Sequence, residues 1–358
     1  MPSILKKLDW PLMSSMFFIM LVSSISLLSS SPAKLRQQLV WYLIGAIIFF
    51  LILKINWKPI TNYWGVIVGI YFFVILLLVV TYFFAPSIRG TRSWLQIGGF
   101  QFQPSELAKL ALILLFAKFF SRKHISIARV SNLLSSFIYL VIPLALVAIQ
   151  PDFGSGLILF FIWFGFLLVS GIKWRHLVIA LIIFLIFGAV LWVKVLKDYQ
   201  KERIMVFLFP NRDPLGINYS TIQAKIAIGS AGLFGQGFKQ GTQVQLGFLP
   251  EVQTDFILAA FIEEWGILLG VLLISVFFIM VTRIIKIGLE VENNFDRLFC
   301  LGTAILFVVQ FAFNAGSNLG LMPVIGVTFP FLSYGGSSLL TDFILVGMVE
   351  SIAAQRAF

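Results

Sequence analysis

The sequence predicts an all-α polytopic membrane protein with about ten transmembrane helices. Of its 358 residues, 59% are hydrophobic and 11% are charged, where a soluble domain carries roughly a quarter. Apolar stretches recur along the whole length, and its costly charges lie at the ends of those stretches. The hydrophobic excess is therefore distributed, and residues 1–358 form a single integral membrane domain.

Candidate spans lie near 11–29, 39–53, 65–85, 107–120, 133–149, 156–171, 177–195, 255–282, 298–316 and 337–354. Several are shorter than the ~20 residues a perpendicular helix needs, which tilt or burial within protein accommodates. The first follows Lys6 and Lys7 in the manner of a signal peptide. It lacks a small-residue cleavage site and precedes many more spans, so it reads as a retained helix. Cys300, the single cysteine, opens the ninth span. An intrachain disulfide and a cysteine-based metal site are both excluded.

Lys and Arg in short loops set orientation. With the N-terminus inside, one set of loops carries thirteen, among them Lys6, Lys7, Arg122, Lys123, Arg175, Arg283 and Arg297, and the other only Lys34, Arg36, Arg89 and Arg92. Both termini are expected in the cytoplasm, as an even span number requires. The net charge of +11 is mostly this bias and attraction to anionic lipid. The basic residues form no aromatic-interleaved module, so nucleic-acid binding is not indicated.

Four segments expected on the outer face are rich in Gly, Pro and polar residues: 86–106, 150–156, 196–254 and 316–338. Irregular backbone near a membrane must lie against protein or line a wet cavity, because lipid cannot satisfy its amides. Its concentration on one face predicts a shared groove there. The long extracytoplasmic loop 196–254, between the seventh and eighth spans, contains a helical stretch near 219–230 and Gly-rich turns at 229–241. With Lys194 just before it, its Lys197, Lys201, Arg203, Arg212, Lys225 and Lys239 outnumber Asp198, Glu202, Asp213 and Glu251. Such a segment either lies on anionic lipid as an interfacial helix or forms a basic floor for an anionic, lipid-linked substrate.

Charges inside spans are expensive and therefore functional by default. Glu106 and Lys109 open the fourth span three residues apart, on one helix face where they can pair. Asp152 and Asp255 open the sixth and eighth spans, where each can serve as a helix N-cap. Eight residues beyond Asp255 on a continuous helix, Glu263 would lie about 80° from its direction, with Glu264 nearly opposite. Glu263 is thus expected beside Asp255, and Glu264 against another helix. Three carboxylates and a lysine on one face outweigh any of them taken singly.

The two histidines, His124 and His176, fall in cytoplasmic loops, so no Ser-His-Asp triad or histidine metal site is available outside. There is no P-loop or dinucleotide fingerprint. An outer-face general base must then be a carboxylate, and Asp255, inside the polar run LPEVQTD, is the foremost candidate. At a helix N-terminus it would be a weak base until substrate desolvates it.

The motifs, in order, resemble the SEDS family of shape, elongation, division and sporulation proteins. They are Arg92 and Trp94 before Ile97-Gly98, Gln103-Pro104-Ser105-Glu106 with Lys109, and Gln150-Pro151-Asp152 with Gly154. Asp213-Pro214 with Tyr219 and Gln223, Leu249-Pro250-Glu251 with Thr254-Asp255-Phe256, and Glu263-Glu264 with Gly266 follow. Pro330 and Ser333-Tyr334-Gly335-Gly336-Ser337-Ser338 complete the set. The run from Gly241-Thr242-Gln243 to Phe248-Leu249-Pro250 is more similar to the elongation branch, RodA, than to the division branch, FtsW.

The resemblance implies a ten-helix peptidoglycan glycosyltransferase of the cytoplasmic membrane, active on its outer face. Its substrate would be lipid II, a disaccharide-peptide on undecaprenyl pyrophosphate, and its partner a class B penicillin-binding protein. Asp255 would be the essential carboxylate, with Glu106, Lys109 and Asp152 supporting it and Arg92, Gln223, Glu263 and Ser333 contacting substrate. Gln253 stands where the family usually has His, which leaves Asp255 as the base. An α-linked donor giving a β-1,4 glycan requires inversion by single displacement, hence a base and positive charge for the departing pyrophosphate. Lys109, Arg203, Arg212 or a divalent cation would supply that charge. The competing class is a lipid II transporter, which would place its binding charges near the midplane. A non-catalytic scaffold is the third reading.

Overall fold

The computed structural model describes residues 8–55, 57–86, 91–97, 100–123, 130–171, 174–194, 198–209, 213, 216 and 218–356. In chain order they form α1 (Trp10–Ser30), α2 (Pro32–Lys54), α3 (Trp57–Asn62), α4 (Trp64–Phe84), strands β1 (Leu95–Ile97) and β2 (Phe100–Phe102), α5 (Pro104–Lys123), α6 (Val130–Ile149) and α7 (Phe153–Val169). Then come α8 (Trp174–Lys194), α9 (Asp198–Leu208), α10 (Tyr219–Ser230), α11 (Thr242–Gln245), α12 (Ile257–Glu290), α13 (Asn294–Leu319) and α14 (Gly336–Arg356). Each of the ten apolar spans read from the sequence is a helix, and α10 occupies the predicted stretch of the long loop. Seven of the described helices (α1, α2, α4, α6, α12, α13 and α14) are long and apolar enough to cross a bilayer unaided. The other three apolar stretches are the helices α5, which carries Glu106, Lys109 and Lys118 into the bundle, α7, whose 17 residues extend about 25 Å, and α8.

Local chemistry sets the helix limits. Asp9 caps α1 by accepting the Leu12 amide at 3.1 Å, and Pro11 sits in the first turn, where its missing N–H costs nothing. Extended Ser31 followed by Pro32 separates α1 from α2 by a single residue. Helix α5 is buried on nearly all sides, through Ala108, Leu112, Ile113, Leu115, Phe116 and Phe120, with Glu106, Lys109 and Lys118 buried among them. It packs against α4, α6, α7, α13 and α14, so it is the bundle's central post. Helix α14 runs along α2, where Gly45 makes room: a methyl there would fall 2.1 Å from the Phe343 ring.

Helix α12 departs from the predicted span. It begins two residues later, runs to Glu290, and is interrupted at Gly266 (φ +86°, ψ 167°). The backbone groups released by this break pair with loop 232–237. Gln236 and Gly237 donate to the carbonyls of Glu263 and Glu264 at 2.9 and 3.0 Å, and Ile267 and Leu268 donate to Gly232 and Leu233 at 3.1 and 3.3 Å. The loop thus supplies the hydrogen bonds that lipid could not.

Candidate active site

Asp255 lies in a turn that ends at α12, and three elements fix that turn: α13, the segment 327–334 and α2. Phe256 occupies the capping position of α12 without a side-chain bond, so Asp255 is not the helix cap its sequence context suggested. Asn318, in the last turn of α13, caps it instead: its Oδ1 accepts the Ala259 amide at 2.9 Å. The Nδ2 of Asn318 donates to the Asp255 carbonyl at 2.7 Å, and Asn314, one turn earlier, donates to the same oxygen at 3.2 Å. Asn314 also donates to the Val327 carbonyl at 2.9 Å, which ties the last outer segment to the same point.

From that segment, Ser333 donates to the Thr254 carbonyl at 2.7 Å and accepts the Phe329 amide at 2.9 Å. The Tyr334 amide donates to the Gln253 carbonyl at 2.8 Å. Gln253 itself accepts a hydrogen bond from Lys34 of α2 at 2.8 Å, and that ammonium stands 5.6 Å from the Tyr334 ring centroid. Half-buried Tyr334 donates its hydroxyl to Gln37 at 2.6 Å. Burial pushes its phenol above the ordinary range, so it stays protonated, as a donor, at neutral pH.

The facing wall comes from α5 and α7. Asp152 divides its oxygens: Oδ1 caps α7 through the Ser155 amide at 3.1 Å, and Oδ2 accepts from Gln103 at 2.8 Å and Ser105 at 3.3 Å. Gln103 follows β2, where its own amide donates to Ser337 at 3.0 Å. The hairpin thereby links α5 to α14. One turn inside α5, Lys109 and Glu106 form a 2.7 Å ion pair with side-chain exposures of only 4% and 7%.

These walls enclose a cavity of about 310 Å³ lined by Glu106, Lys109, Asp152 and Asp255, together with Glu251, Gln103, Thr254, Tyr334 and Ser337. Four carboxylates face one lysine, and that lysine is already paired. Among the described residues no three His, Cys, Asp or Glu side chains converge to hold a metal ion. The oxygens of Asp152 and the Oε1 of Glu106 are engaged with protein donors as well. The described residues therefore offer no ready cage for the divalent cation considered above.

Other expected site residues lie elsewhere. Glu263 is fully buried and accepts the Gln243 and Val244 amides at 2.8 and 3.2 Å and the Thr242 hydroxyl at 3.3 Å. It caps short α11 and does not line the cavity, because Asp255 precedes the helix and the angular extrapolation from it fails. Ser333 is 3% exposed and spends its hydroxyl on main chain, so it shapes the site without lining it. Arg92 is exposed, with its main-chain amide on the Gln150 carbonyl at 3.4 Å. Gln223 sits half-buried on α10, outside the cavity. The Arg203 side chain and Arg212 lie outside the described residues, as does His124, whereas His176 falls in the first turn of α8. Glu264 does pack against other elements as expected, bonding Ser29 of α1 and Gln245 of α11.

The family model described as "Cell cycle protein", which groups FtsW, RodA and SpoVE, matches residues 7–357. The chain belongs to the FtsW/RodA/SpoVE family. The peptidoglycan glycosyltransferase MrdB of Escherichia coli (strain K12) is 37% identical over 287 residues, 80% of this chain and 77% of that one. Stage V sporulation protein E of Bacillus subtilis (strain 168) is 33% identical over 328 residues, 90% and 87% of the two chains. A solved chain of a peptidoglycan synthase complex that coordinates polymerization and crosslinking matches with a TM-score of 0.82 at 31% identity, covering 98% of both chains. Rod shape determining protein RodA of Thermus thermophilus matches at 0.73 and 29%, again over 98% of both.

Sequence reasoning missed three residues at this FtsW/RodA/SpoVE site. Asp342, buried in α14, accepts the Phe331 amide at 3.3 Å and lies within electrostatic reach of Glu106 and Lys109. It was detectable by the same rule that singled out Glu106, as an acid inside an apolar span. Asn314 and Asn318 are neutral, and nothing in an apolar helical pattern marks them as clamps.

Proposed function

We propose that the chain is a peptidoglycan glycosyltransferase that polymerises lipid II into β-1,4 glycan with inversion, and that Asp255 is its general base. The observation carrying this reading is that Asp255, on a turn held through its own carbonyl by Asn314 and Asn318, faces Glu106, Lys109 and Asp152 across one cavity. Among the described residues, the one cation lining that cavity is spent on Glu106, which favours a site built to accept a proton. In the displacement, Asp255 takes the proton of the acceptor 4-hydroxyl as its oxygen bonds the donor C1. The C1–O bond to the diphosphate breaks on the opposite face, and undecaprenyl pyrophosphate departs with the electron pair. Glu106 holds Lys109 in place, and Asp152 fixes the mouth of the cavity through Gln103 and α7.

The elongation-type run 241–250 and the likeness to MrdB and RodA favour a role in cell elongation and rod shape over division. The likeness to a chain of a peptidoglycan synthase complex supports a class B penicillin-binding protein as partner. The loop charges support an inner-membrane orientation with both termini in the cytoplasm and the cavity outside. Purified Asp255→Asn should fold, and should make no glycan from lipid II. Wild-type yields of polymer from that variant would sink the proposal. A lipid II transporter is the competing reading. It would move lipid II across vesicles without polymer, and it is disfavoured because the cavity acids gather at helix starts and not at mid-helix.

A further inference from the structure

The catalytic cavity is poorly suited to a diphosphate. Among the described residues, Glu106, Asp152, Glu251 and Asp255 line it against Lys109 alone, and a multiply charged anion meets repulsion there. A second cavity of about 240 Å³ adjoins it, with Pro323 lining both. Its wall is α10, through Ser220, Thr221 and Lys225, faced by Gly320 at the end of α13.

Four features of this second cavity suit an anion. The first turn of α10 opens onto it through Asn218, Ser220 and Thr221, so the positive end of the helix faces the space. Thr221 lies one turn before Lys225 on the same face, is 8% exposed, and among the described residues its hydroxyl has no hydrogen-bond partner. Lys225 makes no salt bridge among the described residues. Gly320, left-handed at φ +69°, leaves room for that ammonium: a methyl there would fall 2.4 Å from its Nζ. The simpler role for Lys225 is to offset the negative C-terminal end of α13. That role does not account for Thr221, a polar side chain that lines the cavity beside it with no hydrogen bond among the described residues.

We propose that this second cavity is a diphosphate subsite, in which Lys225, Thr221 and the α10 N-terminus hold the diphosphate of a polyprenyl-linked substrate while its sugar reaches the Asp255 cavity. The inference rests on the glycosyltransferase reading for the identity of the ligand, and on geometry alone for its charge.

Binding of undecaprenyl diphosphate to the purified full-length protein in detergent tests it. Lys225→Gln should weaken binding by roughly ten-fold or more, and Thr221→Val by a smaller factor. Lys225→Arg should keep binding near wild type. Lys225 is exposed, so Lys225→Gln and Lys225→Arg should keep the wild-type melting temperature. Steady-state polymerisation then separates the two sources of the diphosphate. If the retained, acceptor diphosphate sits here, Lys225→Gln raises KM for lipid II and leaves kcat nearly unchanged; if the departing one does, kcat falls too. Equal binding by wild type and Lys225→Gln, the outcome expected if the lysine only offsets α13, overturns the subsite, as does no binding by wild type. Lys225-dependent binding in a wild-type protein that makes no polymer would keep the subsite and discard the glycosyltransferase reading.

Discussion

Asn318 donates its side-chain amide to the main-chain carbonyl of Asp255 at 2.7 Å while its oxygen receives the Ala259 amide at 2.9 Å. One buried side chain therefore both caps α12 and sets the position of the residue before the cap. Asn318→Ala should cost about 1–3 kcal/mol of stability through unsatisfied buried groups. It should also lower kcat by roughly ten- to a hundred-fold with little change in KM, because the base is displaced and not removed. Unfolding in detergent and polymerisation kinetics measure the two effects. A loss confined to KM would argue that Asn318 touches substrate.

The buried Glu106–Lys109 pair should respond asymmetrically to mutation. Lys109→Met leaves Glu106 and nearby Asp342 without their cation and should destabilise the protein by about 3–5 kcal/mol. Adding Glu106→Gln to it should recover part of that stability without restoring polymer synthesis. A double variant no more stable than Lys109→Met alone would mean that the pair is not the source of the loss.

Ser333→Ala removes the acceptor of the Phe329 amide and the donor to the Thr254 carbonyl. Polymerisation should slow at saturating lipid II, with KM within about two-fold and a stability cost of about 1–3 kcal/mol. A large rise in KM at unchanged kcat would return Ser333 to the substrate contacts.

At Gly266 any Cβ would fall 2.3 Å from the Leu233 carbonyl oxygen, and the backbone is at φ +86°. Gly266→Ala should cost more than about 2 kcal/mol, visible as a lowered melting temperature and faster proteolysis of the loop. Wild-type stability would show that helix and loop can part without consequence.

The ten apolar spans were legible because burial in lipid or protein demands long apolar runs, and each is a helix. Glu106, Lys109, Asp152 and Asp255 stood out because charge at the end of such a run is costly, and the structure gathers them around one cavity. What escaped were relationships that composition does not encode. Asn314 and Asn318 act through main-chain carbonyls distant in sequence, and Ser333 does the same. The wheel that paired Glu263 with Asp255 assumed an unbroken helix, whereas the helix starts after Asp255 and Glu263 turns toward α11. Asp342 was readable by the rule applied to Glu106 and was overlooked.

The break at Gly266 divides α12 into a long rod and a short stub of residues 257–265, about 13 Å in length. At its lower end the stub is stitched to loop 232–237, and at its upper end it is pinned by Asn318 and followed back to Asp255. Mechanically the stub belongs to the loop as much as to the bundle. Loop 232–237 and the Asp255 turn are thus held at opposite ends of one short rigid helix, so the two share a single support.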